Sequence, residues 1–118
     1  MFNPKKYSIN LESTIRDSIT LINKNSAQVA LVVDAGYKLV GIVTDGDIRR
    51  GILNGLSLED SVTKIMINKP VTVDENCGRS KSLELMNEKL IHHIPVVNKH
   101  GVLVDLHLLD ELLQKPKF

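Results

Sequence analysis

The 118-residue sequence has one cysteine, no tryptophan and only four other aromatic residues, two phenylalanines and two tyrosines. Because Cys77 is alone, an intrachain disulfide is excluded, and the sequence has neither a CxxC pair nor the Cys/His spacing of a zinc site. So few aromatic rings also argue against a stacking surface for single-stranded nucleic acid. The sequence therefore predicts an aliphatic core and a reducing compartment.

An excess of charge of one sign is lacking as well, since 15 Lys and Arg residues against 14 Asp and Glu residues give a net charge of +1. The basic residues are scattered, which argues against nucleic-acid or membrane partners that depend on bulk electrostatics. The longest apolar run, Val29–Val33, is far too short to span a membrane, and the first residues lack the apolar stretch of a signal peptide. We therefore expect a cytoplasmic protein.

What the sequence does contain is an internal repeat, with an offset of 64 residues and no gap. Two Val-Val pairs, at 32–33 and 96–97, fall on one another, and so do two Leu-Val pairs, at 39–40 and 103–104. Each copy predicts a short strand, an amphipathic helix, two β-branched strands and a closing helix. Such a unit cannot bury both its helix face and its sheet alone. We therefore predict an α+β fold in which two βαββα repeats pack sheet against sheet as a pseudo-twofold pair.

The predicted boundaries place repeat 1 at about residues 7–55, a connecting helix and linker at about 57–69, and repeat 2 at about 70–114, within one domain of residues 1–118. Asn10 and Asp74 are predicted to cap the first helix of each repeat, and Gly55 to follow the end of the closing helix of repeat 1. The predicted strands span 7–9, 29–33, 38–43, 71–73, 93–97 and 102–107, and the closing helices span 45–54 and 109–114, with the connecting helix at 58–66. The predicted apolar stripes are Leu11, Ile15, Ile19 and Ile22 in repeat 1, and Leu83, Met86 and Leu90 in repeat 2.

A candidate ligand site lies where a predicted strand ends at Thr44 and a helix begins. The Thr44 hydroxyl and the free backbone N–H groups of Asp45, Gly46 and Asp47 can bind an anionic phosphate at the positive end of the helix dipole. Asp47, one helical turn further on, can accept hydrogen bonds from a ribose diol. Arg50 can add a charge-assisted phosphate contact.

The same residues also fit a purely structural role. Thr44 is a suitable N-cap, and Asp47 is a first-turn acid that stabilises the helix dipole. Only one of Arg49 and Arg50 can point into the cleft, because neighbours on a helix do not share a face. The spacing by itself leaves both interpretations open.

The residues from Gly41 to Asp47, GlyIleValThrAspGlyAsp, resemble the pattern of a cystathionine-β-synthase (CBS) domain, which is Gly, two mostly apolar residues, Thr, any two residues and Asp. HisIleProValVal at 93–97 is also typical of that family, and the tandem arrangement resembles a Bateman module. Such modules are regulatory and usually bind adenine nucleotides in a cleft between paired repeats. The resemblance therefore implies an adenine nucleotide as regulatory ligand, without a cofactor.

The resemblance implies that Thr44 holds the phosphate and Asp47 the ribose, and that backbone groups around 28–30 or 92–94 recognise the base. In the second copy the equivalents of Gly41, Thr44 and Asp47 are Asp105, Leu108 and Glu111. We therefore expect one competent site and one degenerate site. The full set of candidate nucleotide-binding residues is Thr44, Asp47, Gly46, Asp45, Arg50, Gln28, Ala30, Ser8, Thr72, His93, Ile94 and Glu111.

Neither a metal site nor a catalytic set is expected. His92 and His93 are adjacent on a predicted strand and face opposite ways, and no Asp or Cys stands at ligand spacing. Cys77, near a helix start, is expected to be an ordinary thiol. Cys-His and Ser-His-Asp sets are not recognisable, so this chain is predicted not to be an enzyme itself.

The stretch at 44–60, which begins ThrAspGlyAspIleArgArg, and LysProValThrVal at 69–73 resemble the regulatory pair that begins bacterial sugar-phosphate nucleotidyltransferases of the mannose-1-phosphate guanylyltransferase type. A similar pair ends the arabinose-5-phosphate isomerases, and the start near Met1 favours the transferase, with the enzyme domain following on the C-terminal side. A structural or dimerisation module without ligand is the other alternative. CBS pairs commonly form face-to-face homodimers, and the apolar residues predicted for that surface are Ile48, Ile52, Leu112 and Leu113.

Overall fold

The structure is a computed structural model that describes residues 2–113. It consists of two repeats with the same order of strands and helices. One short 3₁₀ turn precedes the first repeat, and another lies between the two repeats. The first copy contains β1 (Ser8–Asn10), α1 (Ile15–Lys24), β2 (Val29–Val33), β3 (Leu39–Thr44) and α2 (Asp45–Leu53). The second contains β4 (Val73–Asp74), α3 (Arg79–Lys89), β5 (His93–Val97), β6 (Leu103–Leu108) and α4 (Leu109–Leu113). The 3₁₀ turns are Pro4–Lys6 and Val62–Lys64.

Each copy folds around a three-stranded sheet of the same topology. The orders are β1-β2-β3 and β4-β5-β6, with the first pair parallel and the second antiparallel in both. Each antiparallel pair contains a register shift, which leaves Val40 in β3 and Val104 in β6 as the extra residue. Because a bulge re-aims the side chains that follow it, Leu39 and Ile42 both face the second sheet, whereas Val40 packs towards the helices.

The two sheets pack face to face through an aliphatic inter-sheet core, which confirms the predicted α+β fold. Each sheet also packs its other face against its own helices. The inter-sheet core consists of Val29, Leu31, Val33, Ile42, Leu103, Leu106 and Leu108, all buried. Because residues from both repeats build this core, neither repeat has a complete one by itself.

The predicted caps of α1 and α3 are wrong. α1 begins after Thr14, which forms a capping box with Asp17, and α3 begins after Gly78, which has no side-chain cap. The Asn10 side chain instead accepts the backbone N–H of Glu12 at 2.9 Å, so Asn10 turns the chain at the end of β1.

The helix stripes are correspondingly shorter than predicted. Leu11 lies outside α1 and is 37% exposed, and Ile19 is 38% exposed. Leu90 follows α3 in a left-handed conformation and is 86% exposed. The buried members of the predicted stripes are Ile15, Ile22 and Met86.

The predicted connecting helix at 58–66 is reduced to the single 3₁₀ turn Val62–Lys64. Its backbone groups form hydrogen bonds outside the segment: the carbonyls of Leu58 and Asp60 accept the N–H groups of Arg16 and Ile15 at the start of α1, each at 2.9 Å.

The strands that follow the two hairpin turns, β3 and β6, begin and end one residue later than predicted. The predicted last helical residue, Gln114, lies outside the described residues. Gly55 has a φ of +96°, as its predicted position after a helix end requires. No helix within residues 2–113 is long and apolar enough to cross a membrane.

Candidate functional site

The start of α2 is organised by a capping box between Thr44 and Asp47. The Thr44 hydroxyl oxygen accepts the backbone N–H of Asp47 at 3.4 Å, and Oδ2 of Asp47 accepts the backbone N–H and the hydroxyl of Thr44 at 2.9 and 3.0 Å. The Asp47 side chain is only 8% exposed. The helix-capping role that was one interpretation of the Thr44–Asp47 spacing is therefore present, and it holds both side chains at the N-terminus of α2.

The second carboxylate oxygen of Asp47 is held by Arg50. Nη2 of Arg50 donates to Oδ1 at 2.9 Å, while the Arg50 side chain remains 68% exposed. The guanidinium lies over Gly46, where a Cβ atom would stand 3.1 Å from Nη1. Of the two neighbouring arginines, Arg50 is the one directed to the helix start.

His93, at the start of β5, brings repeat 2 to this helix start. Burial lowers the pKa of its imidazole and the neighbouring His92 lowers it further, whereas the charge of Asp47 acts in the opposite direction. This effect of Asp47 shows that His93 and the start of α2 lie within electrostatic range across the boundary between the repeats. The imidazole of His93 is thus a half-buried group whose pKa lies below its ordinary value.

A rigid turn before β2 carries Gln28. The buried side chain of Asn25 donates to the carbonyl of Val29 and accepts the backbone N–H groups of Ala27 and Gln28 at 3.0 and 3.2 Å. Gln28 has a φ of +59° and is exposed. It lines a cavity of about 530 Å³ with Asp45, so the structure brings Gln28 towards the first helix start.

Gln28 also reaches the corresponding cleft at the start of α4. There it lines a cavity of about 570 Å³ together with His92, Leu108 and Glu111. Leu108 is 8% exposed and belongs to the inter-sheet core, whereas Glu111 is exposed. The start of α4 therefore lacks the N-cap hydroxyl and the buried carboxylate that Thr44 and Asp47 supply at the start of α2.

The structure places four further predicted site residues in different surroundings, and one of them, Ala30, pairs with Val43 directly beside Thr44. Ser8 pairs with Leu31 and donates its hydroxyl to the carbonyl of Pro4, so it lies two strands away from β3. Thr72 is exposed and directly precedes β4. Ala30 and Ile94 have fully buried side chains in the cores, so only their backbone could contact a ligand.

The sequence interpretation missed the wall of a second cavity beside α4. This cavity, of about 320 Å³, is lined by Phe2, Lys6 and Tyr7 together with Asp105 and Glu111. The rings of Phe2 and Tyr7 are stacked with centroids 5.7 Å apart, and Lys6 lies over the Tyr7 ring. The sequence offers one signal for this cavity wall. Tyr7 stands just before β1, at the position that residue 71 occupies in the second repeat.

Two sheets packed face to face, each leading into a helix that begins at a cleft between the repeats, define a tandem-repeat module with two related clefts. The chain belongs to the CBS domain family, whose model matches residues 3–54 and again 62–106. It is similar in structure to a CBS domain protein from Pyrobaculum aerophilum complexed with AMP, with a TM-score of 0.83 and 26% identity, covering 98% of this chain and 92% of that one.

Curated relatives carry the same module within longer chains. A probable arabinose 5-phosphate isomerase of Haemophilus influenzae is 37% identical over 92 residues, which are 76% of this chain. An inosine-5′-monophosphate dehydrogenase of Thermoplasma acidophilum is 31% identical over 113 residues, which are 95% of this chain. The chain spans 27% and 22% of the length of these two relatives.

Proposed function

We propose that this CBS pair is a regulatory module that binds an adenine nucleotide at the start of α2. The observation that carries the proposal is the Thr44–Asp47 capping box at the start of α2, with Arg50 bonded to the free oxygen of Asp47. The helix start supplies backbone N–H groups for a phosphate, Asp47 supplies a ribose acceptor, and Arg50 supplies a cation. The Pyrobaculum relative complexed with AMP supports the choice of ligand.

We propose a division of the candidate residues between the two clefts. Thr44, Asp45, Gly46 and Asp47 hold the ligand with Arg50 in the first cleft. Gln28 lies beside both clefts, and Glu111 belongs to the second, where Leu108 offers no hydrogen bond to a phosphate. His93, Thr72 and the backbone of Ile94 complete the first cleft from repeat 2, and Ser8 and the backbone of Ala30 are the equivalent groups on the side of repeat 1.

Titration with AMP, ADP and ATP tests the proposal. A ligand that binds only the folded state, at about 100 times its dissociation constant, adds roughly 2.7 kcal/mol to the free energy of unfolding and raises the melting temperature. GTP and CTP belong in the same experiment, because a sugar-phosphate nucleotidyltransferase would use such a nucleotide as its substrate. Absence of a shift and of calorimetric heat with every adenine nucleotide at millimolar concentration would favour the purely structural module.

The module is proposed to modulate an attached enzyme that acts on a sugar phosphate. The sequence pattern favours a sugar-phosphate nucleotidyltransferase, and the Haemophilus relative favours an arabinose-5-phosphate isomerase. The two are distinguished by assaying the full gene product for sugar-nucleotide formation and for isomerisation, each with and without AMP. The proposed location of such an enzyme is the cytoplasm.

The module is also proposed to form a homodimer through its helices. On α2, Leu53 is 78% exposed and Ile52 is 40% exposed, and on α4 Leu113 is 57% exposed. Ile48 is buried in the core of repeat 1 and Leu112 packs in that of repeat 2, so neither adds much to the surface predicted from the sequence. Sedimentation should give twice 13.1 kDa, and Leu53→Asp should shift the protein towards the monomer.

A further inference from the structure

We propose that Arg50 exchanges partners when a nucleotide binds, leaving the carboxylate of Asp47 for the phosphate of the ligand. Arg50 is then a specificity-determining residue that makes the first cleft select phosphorylated ligands over nucleosides. The inference rests on the proposed function, because it concerns the same cleft and an adenine ligand.

The hydrogen bonds of Asp47 show why Arg50 competes with a ribose. Oδ2 is committed to the backbone N–H and the hydroxyl of Thr44, which together begin α2. Oδ1 is the oxygen that a ribose diol can use without breaking this cap, and Arg50 donates to it at 2.9 Å. A ribose that binds Asp47 must therefore share or displace the guanidinium.

The position of Arg50 shows where the guanidinium can go. It lies over the first turn of α2, with Nη1 and Nη2 at 3.1 and 3.3 Å from the place of a Cβ atom on Gly46. The backbone N–H groups of this turn are the ones that point at a phosphate. Because Gly46 has no side chain in the way and Arg50 is 68% exposed, a rotation of the Arg50 side chain suffices to reach that phosphate.

The exchange has opposite consequences for two kinds of ligand. A nucleotide compensates Arg50 for the loss of Asp47, because its phosphate accepts a charge-assisted hydrogen bond from the guanidinium. A nucleoside displaces the guanidinium from Asp47 but has no phosphate that could accept a hydrogen bond from it. Removing the charge of Arg50 should therefore weaken binding of AMP and strengthen binding of adenosine.

The test measures the affinities of adenosine and AMP by calorimetry for the parent chain, for Arg50→Gln and for Arg49→Gln. Arg49 is the matched control, since it is exposed, adjacent and without an ion pair among residues 2–113. In Arg50→Gln we expect AMP to bind about tenfold more weakly, and adenosine up to about fivefold more tightly, the range that an exposed ion pair allows. Arg49→Gln should change both affinities by less than about twofold.

The directions of the two affinity changes decide the outcome, because a general loss of structure would weaken the binding of both AMP and adenosine. Arg50→Lys keeps the charge without the planar fork, and it serves as the second variant if Arg50→Gln melts at a markedly lower temperature. For Arg50→Lys we expect a smaller change with the same two signs. Parallel changes for both ligands, or no change, would overturn the partner exchange while leaving nucleotide binding intact. A parent chain that binds neither ligand would overturn both proposals.

Discussion

Lys38 and Val102 pair with one another in an isolated antiparallel bridge, and they occupy the same position in the two repeats. Next to the bridge, the backbone N–H of Leu39 donates to the carbonyl of Gly101 at 3.0 Å. In the symmetry-related hydrogen bond, the backbone N–H of Leu103 donates to the carbonyl of Tyr37 at 2.9 Å. The pseudo-twofold axis therefore passes between Lys38 and Val102, and backbone hydrogen bonds join the repeats there.

Gly101→Ala should destabilise the fold at this axis. Gly101 has a φ of +79°, a conformation that costs a residue with a Cβ atom about 1–2 kcal/mol. Gly36→Ala is the matched control, because Gly36 stands in the other hairpin turn without a left-handed φ and its Cβ would meet nothing nearer than 3.6 Å. Urea unfolding should show the loss for Gly101→Ala alone, and equal losses would contradict the strain argument.

Asp47→Ala should weaken AMP binding by roughly 1–3 kcal/mol, because a ribose acceptor is lost. It should also cost about 0.3–1 kcal/mol of stability, because Asp47 is the first-turn acid of the α2 capping box. Asp17→Ala separates the two effects, since Asp17 forms the same capping box with Thr14 at α1. Calorimetry should find AMP affinity unchanged in Asp17→Ala and much less affected in Glu111→Ala. If Glu111→Ala abolishes binding while Asp47→Ala does not, the competent cleft is the second one.

Leu108→Thr, which restores the hydroxyl of the second helix start, should lower the free energy of unfolding by about 1–3 kcal/mol. Leu108 packs in the inter-sheet core against Leu103 and Leu106, and a hydroxyl there replaces apolar contacts. Leu90→Asn is the control, because Leu90 is 86% exposed and Asn tolerates its left-handed backbone. Thermal melting that shows the same loss for both variants would contradict this placement of Leu108.

The stability of the fold should fall as the pH falls below about 6.5, the ordinary pKa of histidine. The folded protein lowers the pKa of His93, so the unfolded state binds more protons in that range and the contribution present above pH 6.5 is lost on acidification. His93→Gln should flatten this part of the profile, and His100→Gln, at an exposed loop position, should not. Denaturant titrations from pH 5 to 8 provide the measurement.

Binding of AMP should respond to pH with the opposite sign. A phosphate beside His93 favours the protonated imidazole, so binding takes up a proton and the affinity rises as the pH falls towards the pKa of His93. Calorimetry in buffers of different ionisation enthalpy detects the proton directly. Proton uptake that persists in His93→Gln would assign it to another group.

The strands and α2 could be predicted from the sequence because their signals are local. The short apolar runs of β2 and β5, rich in valine and isoleucine, indicate those strands, and Thr44 has the spacing of an N-cap. The start of the first helix in each repeat is harder to predict, because Asn10 and Asp74 are equally good turn residues and each side chain accepts the backbone N–H two residues ahead.

The remaining features depend on contacts between distant segments. The backbone of the connecting segment satisfies the start of α1, and nothing in residues 58–66 themselves shows this. The effect of the Asp47 charge on the pKa of His93 likewise depends on the packing of one repeat on the other. The spacing of residues along the sequence does not predict distances between segments that are far apart in the chain.

The shared inter-sheet core imposes unequal constraints on a duplicated gene. A change at Leu31 or Leu106 disturbs both copies at once, since each packs against residues of the other repeat. A change at a helix start, such as Glu111, affects only the cavities beside α4. Mutation can therefore change the two clefts independently while the paired sheets stay alike, so the clefts of a duplicated repeat can diverge without loss of the fold.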